Sequence, residues 1–250
     1  MDGSFGGGVE HKPTHVEIKL PKLSMSRLAD YMASSRQAQR SIIQSCKYQP
    51  IVRVVQHREA RVILSNYLRN KLDEPPSLVL KASQIRHKLT ENEFEAEVNG
   101  HNADYVERFS QVANKVQLPA AELKPTREFS PLDMNGLSLN FSPQILLARL
   151  TQRTNKLIIG ALMLRYAKGK PLSDKVGNWQ AAGIFGFLRT IQEAEAAEAE
   201  RELCLVLDAY TGEIHPAPGN AVYLFKEMKA ACADIAERWP VIKPPKNAIL

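Results

Sequence analysis

The hydrophobic and polar positions in the C-terminal part of the chain follow two different periods. Lys156–Lys168 is at first apolar on both faces, which predicts a long central β-strand. Apolar side chains then recur at helical spacing from about Val176 to Glu200, and a second apolar strand is predicted over Leu203–Asp208. Asn220 can cap a final helix. The order strand, helix, strand, helix predicts a two-layer α/β sandwich.

The N-terminal part of the chain shows a mainly helical pattern. Its predicted elements are a short strand over His15–Leu20 and helices from Ser24 or Ser26 through Met32, from Ser35 to about Cys46, and from about Val54 to Leu68. The adjacent Pro75 and Pro76 coincide with a change in charge sign and predict a domain boundary. We therefore expect an α+β protein with a flexible tail over residues 1–14, a basic helical module over 15–74, and an α/β domain over 75–250.

The segment between these two parts gives weaker patterns. Ser77–Ala82 is either a strand or the entry to a helix. Asn99 and Gly100 predict a turn. A strand is expected near Leu137–Phe141, after which Ser142 and Pro143 would open a short helix.

Positive charge is concentrated near the N-terminus. The chain has 33 Lys and Arg against 27 Asp and Glu, a net charge of +6. The segment from His11 to Lys71 alone holds twelve basic and three acidic residues, a local balance of +9. Such asymmetry indicates a polyanionic partner, of which nucleic acid is the commonest. The alternative is an acidic protein surface, such as the Glu193–Glu202 run of this chain or of a second copy.

The segment Leu28–Ile43 resembles a DNA-reading helix-turn-helix in the spacing of its apolar and small residues. The positions that fit are Leu28, Ala29, Met32, Ala33, Ile42 and Ile43. The second helix would present polar side chains suited to base edges and phosphates. Ser34 and Gln39 depart from the pattern, because they stand where such motifs usually bury an aliphatic residue. An ordinary helix pair and a non-specific nucleic-acid face are the alternatives.

Two groups of basic residues are candidate binding sites. The nucleic-acid-binding candidates are Arg36, Gln37, Arg40, Lys47, Arg53, Arg58 and Arg61. A candidate anion site comprises Arg165, Lys168 and Lys170, at the end of the long strand. Since Arg165 and Lys168 are three residues apart on a strand, they should lie on opposite faces.

Other chemistry is weakly indicated. Glu17 and Lys19 form half of a metal-dependent nuclease core, and Asp208 with Glu213 could bind a cation, but the histidines show no metal-ligand spacing. Neither a Walker loop nor GxGxxG occurs, so no cofactor is expected. Three scattered cysteines suggest a reducing compartment, and no apolar run reaches the roughly 18–20 residues of a membrane span, so we expect a cytoplasmic protein.

These patterns favour a nucleic-acid-binding accessory or assembly protein without catalytic activity, with DNA preferred over RNA. The second hypothesis is an interaction subunit whose basic module docks on an acidic protein. The third is a metal-dependent nuclease-like enzyme. The proline-rich segment from Trp239 to Leu250 would either lie back across the protein as a strap or dock on a partner subunit.

Overall fold

The computed structural model describes residues 12–51, 57–70, 74–151, 155–192 and 197–250. The helices are α1 (Met25–Ala33), α2 (Arg36–Lys47), α3 (Arg58–Arg69), α4 (Pro75–Arg86), α5 (Glu93–Ser110), α6 (Asp174–Gln192) and α7 (Ala221–Arg238). The strands are β1 (His15–Glu17), β2 (Lys22–Ser24), β3 (Tyr48–Pro50), β4 (Glu122–Pro125), β5 (Leu132–Met134), β6 (Leu137–Asn140), β7 (Ile145–Leu150), β8 (Leu157–Arg165), β9 (Glu198–Asp208) and β10 (Glu213–Pro216). This confirms the α+β class. No helix in the described ranges is long and apolar enough to cross a lipid bilayer.

A five-stranded sheet in the order β10-β9-β8-β7-β4 forms the centre of the fold. Strands β8 and β9 are parallel and are connected by α6, whereas the other neighbours in this sheet pair antiparallel. The predicted order of strand, helix, strand, helix in the C-terminal part is confirmed by β8, α6, β9 and α7, with β10 forming a hairpin with β9.

Alternating side chains of the central strands fill two separate cores. Ala161 and Met163 face a core shared with α1, α2, α6 and α7. Leu162 and Leu164 face a second core shared with α3, α4 and α5. The sheet and the C-terminal helices therefore make the two layers expected, and α3–α5 add a third layer on the opposite face.

The basic N-terminal segment is built into both cores. Leu28 and Ile43 lie in the first core, whereas Ala60 and Leu64 lie in the second. Strand β2 also pairs in parallel with β6. Residues on both sides of the boundary predicted after residue 74 thus contribute to each core, and residues 1–11 of the expected tail lie outside the described residues.

Several local predictions are wrong, each because tertiary packing selects a different element. Asn99 and Gly100 lie inside α5 and not in a turn. Ser142 and Pro143 lead into β7 and not into a helix. The helix predicted to reach Glu200 ends at Gln192, since Glu198 and the residues after it pair with β8. Of the two alternatives for Ser77–Ala82, by contrast, the helix is confirmed, because these residues belong to α4.

The C-terminal segment lies back across the N-terminal elements, as the strap hypothesis predicted. The indole of Trp239 donates a hydrogen bond to the Ile18 carbonyl oxygen at 2.9 Å. The Ile249 carbonyl oxygen accepts hydrogen bonds from the backbone N–H groups of Thr14 and His15. We call residues 239–250 the C-terminal strap.

Candidate nucleic-acid interface

Helices α1 and α2 form a compact helix pair joined by two serines. Ser35 caps α2, because its hydroxyl accepts a hydrogen bond from the Ala38 backbone N–H. The Gln39 side-chain amide donates to the Tyr31 carbonyl oxygen at 3.0 Å and so fastens the turn to α1. Gln39 thereby connects the two helices by a hydrogen bond, at a position where a DNA-reading motif usually buries an aliphatic side chain. The helix pair is present, but its identity as a DNA-reading helix-turn-helix is not confirmed.

The outer face of α2 presents the predicted polar residues to solvent. Arg36, Gln37 and Arg40 are all exposed. Ile43 and Cys46 of the same helix are buried in the first core, and so α2 is anchored with these three polar side chains in solvent.

Basic residues from three segments meet along this face. A cavity of about 540 Å³ is lined by Arg36, Arg40 and Arg238, the last residue of α7. A second cavity of about 260 Å³ is lined by Arg40, Arg238 and Lys243 of the C-terminal strap. The two cavities are neighbours, because Arg40 and Arg238 line both, and we call them together the α2–α7 groove.

The α2–α7 groove has an excess of positive charge. Within the described residues, Arg36, Arg40, Arg238 and Lys243 have no carboxylate at ion-pair distance. Asp234 lines the larger cavity, which leaves a net charge of +3 around the groove. The N-terminus of α2 adds the partial positive charge of its helix dipole, since its first turn contains no acidic residue.

Lys47 does not belong to this surface, which corrects its selection as a phosphate contact. Its side chain is buried, and its ammonium donates to the carbonyl oxygens of Trp239 (2.9 Å), Pro240 (3.3 Å) and Ile242 (3.2 Å). Glu17 lies 3.2 Å from the same nitrogen. The ammonium is therefore saturated by groups of the protein itself and is not accessible to a phosphate.

The remaining nucleic-acid candidates are separated from the groove. Arg58 and Arg61 are exposed on α3, which belongs to the helical layer on the other face of the central sheet. Arg53 lies outside the described residues. Among the described candidates, the basic residues near the N-terminus therefore form two surfaces and not one continuous footprint.

The candidate anion site is also divided by the sheet. Arg165 pairs with Asp30 of α1, whereas Lys168 donates to Asp104 of α5 at 2.8 Å. These partners lie in opposite helical layers. Because β8 ends at Arg165 and Lys168 lies in the following turn, this separation comes from the loop and not from the alternation of a strand. The hydrogen bond from Lys168 lowers the pKa of Asp104 below its usual value.

Arg165 and Lys170 line one cavity of about 470 Å³ at the carboxyl ends of β8 and β9. The carboxylate of Asp208, also in this lining, accepts hydrogen bonds from the backbone N–H groups of Leu172 and Tyr210 and from the Thr211 hydroxyl, each at 2.9 Å. Asp208 thus holds the loops together at this edge.

In the part that the structure describes, from residue 197 onward, the acidic run is paired within the chain, but not with the N-terminal basic residues. Glu200 lies 2.7 Å from Arg149, and Glu198 lies 2.5 Å from Lys156. Both basic partners are on or next to the neighbouring strands β7 and β8. The described part of the acidic run therefore leaves the α2–α7 groove uncovered.

Arg238 and Lys243 were missed by sequence reasoning. Arg238 had the pattern of an ordinary basic residue in the last turn of a helix, where it also complements the helix dipole. Lys243 is followed by prolines and had no periodic context. Only the tertiary packing places the end of α7 and the strap beside Arg40.

Comparison with known proteins does not assign a family. No protein-family model matches the chain, and no curated protein is significantly similar to it in sequence. The function is therefore inferred from the charge and geometry of the α2–α7 groove.

Proposed function

We propose that this protein binds nucleic acid through the α2–α7 groove, as an accessory or assembly protein without catalytic activity. The observation that carries the proposal is the convergence of Arg36, Arg40, Arg238 and Lys243 without a carboxylate at ion-pair distance in the described residues. Duplex DNA is the first ligand to test, because the α1–α2 pattern resembles a motif that reads duplex DNA.

The charges in the groove oppose one another in the free protein. Arg36 and Arg40 are four residues apart on one helix, an arrangement that costs a few tenths of a kcal/mol, roughly 0.2–0.5, for like charges. Arg238 lies against the same cavities and adds to the repulsion. A phosphate backbone would relieve it, because each neutralised phosphate releases condensed counterions.

The polar groups of the groove match the chemistry of nucleic acid. Arginine binds phosphate through two parallel hydrogen bonds, which gives both attraction and orientation. Gln37 on the exposed face of α2 has the amide group that recognises adenine edges in the major groove. An ordinary solvated surface would instead have its arginines interspersed with acidic partners, as Arg149 and Lys156 have on the opposite edge.

Fluorescence anisotropy of labelled duplex DNA, repeated at several salt concentrations, tests the proposal. If all four cations contact phosphates, the logarithm of the binding constant should fall with the logarithm of salt concentration with a slope of about −3.6. A single-stranded RNA of equal length should give a slope nearer about −2.8 if it uses the same contacts. No binding to either ligand at low salt would refute the proposal and would favour the second hypothesis, in which the groove binds an acidic protein.

A pair of charge-matched variants locates the interface. The double variant R36A/R40A should reduce the slope by about 1.8 and weaken binding about 60-fold at 0.1 M salt. The control R58A/R61A removes the same charge from α3, on the other layer, and should leave both quantities close to the parent values. Equal losses in the two variants would show that overall charge, and not the α2–α7 groove, accounts for binding.

A further inference from the structure

Three metal-ligating side chains meet where α6 begins, in a place unrelated to the α2–α7 groove. Glu213 and His215 are two residues apart on β10, so their side chains lie on the same face of the strand. Asp174 is the first residue of α6, which packs against β10. The donor atoms of all three residues lie within 4.8 Å of one another.

His215 is held in place with its hydrogen-bonding capacity unused. The side chain is 4% exposed, and its Nε2 atom is buried without a hydrogen-bond partner among the described residues. Its Nδ1 atom faces Asp174 at 3.6 Å from Oδ1, which is too long for a hydrogen bond. The ring also lies directly against Gly177, where an added Cβ would come within 2.4 Å of the imidazole Cγ.

We propose that Asp174, Glu213 and His215 bind a divalent cation, with zinc as the favoured ion. Zinc prefers imidazole nitrogen and carboxylate oxygen ligands at about 2.0–2.2 Å in tetrahedral geometry, which places neighbouring donor atoms about 3.4 Å apart. The 3.6 Å between His215 Nδ1 and Asp174 Oδ1 is close to that spacing. Asp174 and Glu213 are exposed, so a fourth coordination position would face solvent.

The main alternative is an ordinary surface pair between Asp174 and His215. The N-terminus of α6 favours the negative charge of Asp174 by itself, and the same helix dipole opposes a cation nearby. That alternative, however, does not account for the donor atom of Glu213, which lies within 4.8 Å of those of Asp174 and His215. Two carboxylates and a nitrogen donor together outweigh the partial charge of one helix end.

Titration of the full chain with zinc alone tests the site. Protein freed of metal by a chelator and then dialysed is titrated with Zn²⁺ by isothermal calorimetry, with Mg²⁺ in parallel. We expect saturable 1:1 binding of zinc and no comparable signal from Mg²⁺, which prefers six oxygen ligands. The double variant D174N/E213Q should lose at least about tenfold in zinc affinity. Mutation of residues that only hydrogen-bond to metal ligands already lowers metal affinity by about that factor.

Matched variants keep the result interpretable. The change E237Q removes an exposed carboxylate on α7, and H87Q removes an exposed histidine; both should leave zinc affinity unchanged. Because Asp174 and Glu213 are exposed, their amide variants should fold normally, which circular dichroism checks, whereas H215A removes a buried ring. Absence of saturable zinc binding, or equal binding by D174N/E213Q and the parent, would overturn the proposal.

Discussion

Replacement of Lys47 by methionine would remove the ammonium group that connects the C-terminal strap to α2 and β1. The side chain is 3% exposed, so methionine can fill nearly the same space without meeting solvent. What the variant loses is three hydrogen bonds to backbone carbonyl groups and the contact with Glu17. Those carbonyl oxygens lie next to Trp239, one of the largest buried side chains.

The expected loss of stability follows from two opposing effects. Hydrogen bonds to a charged group contribute roughly 1.5–3 kcal/mol each, so three of them correspond to roughly 5–9 kcal/mol. Burial of an ammonium group costs several kcal/mol of desolvation free energy, and this cost is absent in the methionine variant. We expect a net loss of about 3 kcal/mol, which for a chain of this size lowers the melting temperature by about 6–12 °C.

Urea denaturation followed by tryptophan fluorescence measures this loss, because Trp239, the first residue of the strap, is buried in the native protein. Lys243, exposed on the strap itself, provides the matched control, and K243M should change the free energy of unfolding by less than about 0.5 kcal/mol. If K47M is as stable as the parent, the ammonium does not hold the strap.

The same variant separates a structural role of Lys47 from a ligand-binding role. At a temperature where K47M remains folded, its salt dependence of nucleic-acid binding should match that of the parent, because its ammonium does not reach the α2–α7 groove. A slope reduced by about 0.9 would instead show that Lys47 contacts a phosphate, and would contradict its burial.

Three further measurements test separate parts of the structure. In thermal unfolding, the variant G177A should lose about 1–3 kcal/mol of stability, because its Cβ would collide with the ring of His215. The variant G100A has open space around its Cβ in α5 and should gain roughly 0.5–1 kcal/mol. A loss of stability in G100A would instead favour the turn predicted at this position. D104N should be less stable than the parent at neutral pH, because Lys168 favours the charged Asp104 carboxylate only in the folded state. The difference in unfolding free energy should disappear as the pH falls below the ordinary Asp pKa of 3.8 and through the lowered pKa of the native state. A difference that does not depend on pH would exclude this pairing. All three cysteines are buried, so iodoacetamide should modify them only after unfolding, as mass spectrometry would show, and rapid modification of the native protein would contradict their burial.

Much of the architecture could be predicted from local pattern. The apolar character of Lys156–Lys168 identified the central strand, because only a strand covered on both faces has apolar side chains in both registers. The start of α2 after Ser35 was predicted, and for α1 the structure selects Ser24 over Ser26, since a serine hydroxyl satisfies a free N–H group of the first turn. Arg36 and Arg40, expected at the start of the second helix with polar side chains available to a ligand, are exposed there.

Other elements were decided by partners distant in sequence. Glu198–Glu202 has a composition typical of a helix, yet it forms part of β9 because β8 offers it a row of backbone hydrogen-bonding groups. Gly100 has the composition of a turn, yet the packing of α5 on α3 and α4 keeps the helix continuous. In both cases the tertiary contact is worth more than the local preference.

By itself, the sequence determined the α+β class, the main helices and strands, and the positive charge near the N-terminus. The tertiary structure decided which of those charges can meet a ligand. Lys47 and Arg40 are equivalent in the sequence, but one is buried against the C-terminal strap and the other faces solvent beside Arg238. The physical reason is that local periodicity records which side of an element is buried, whereas a binding site depends on contacts between residues far apart in the chain, for which no local preference exists.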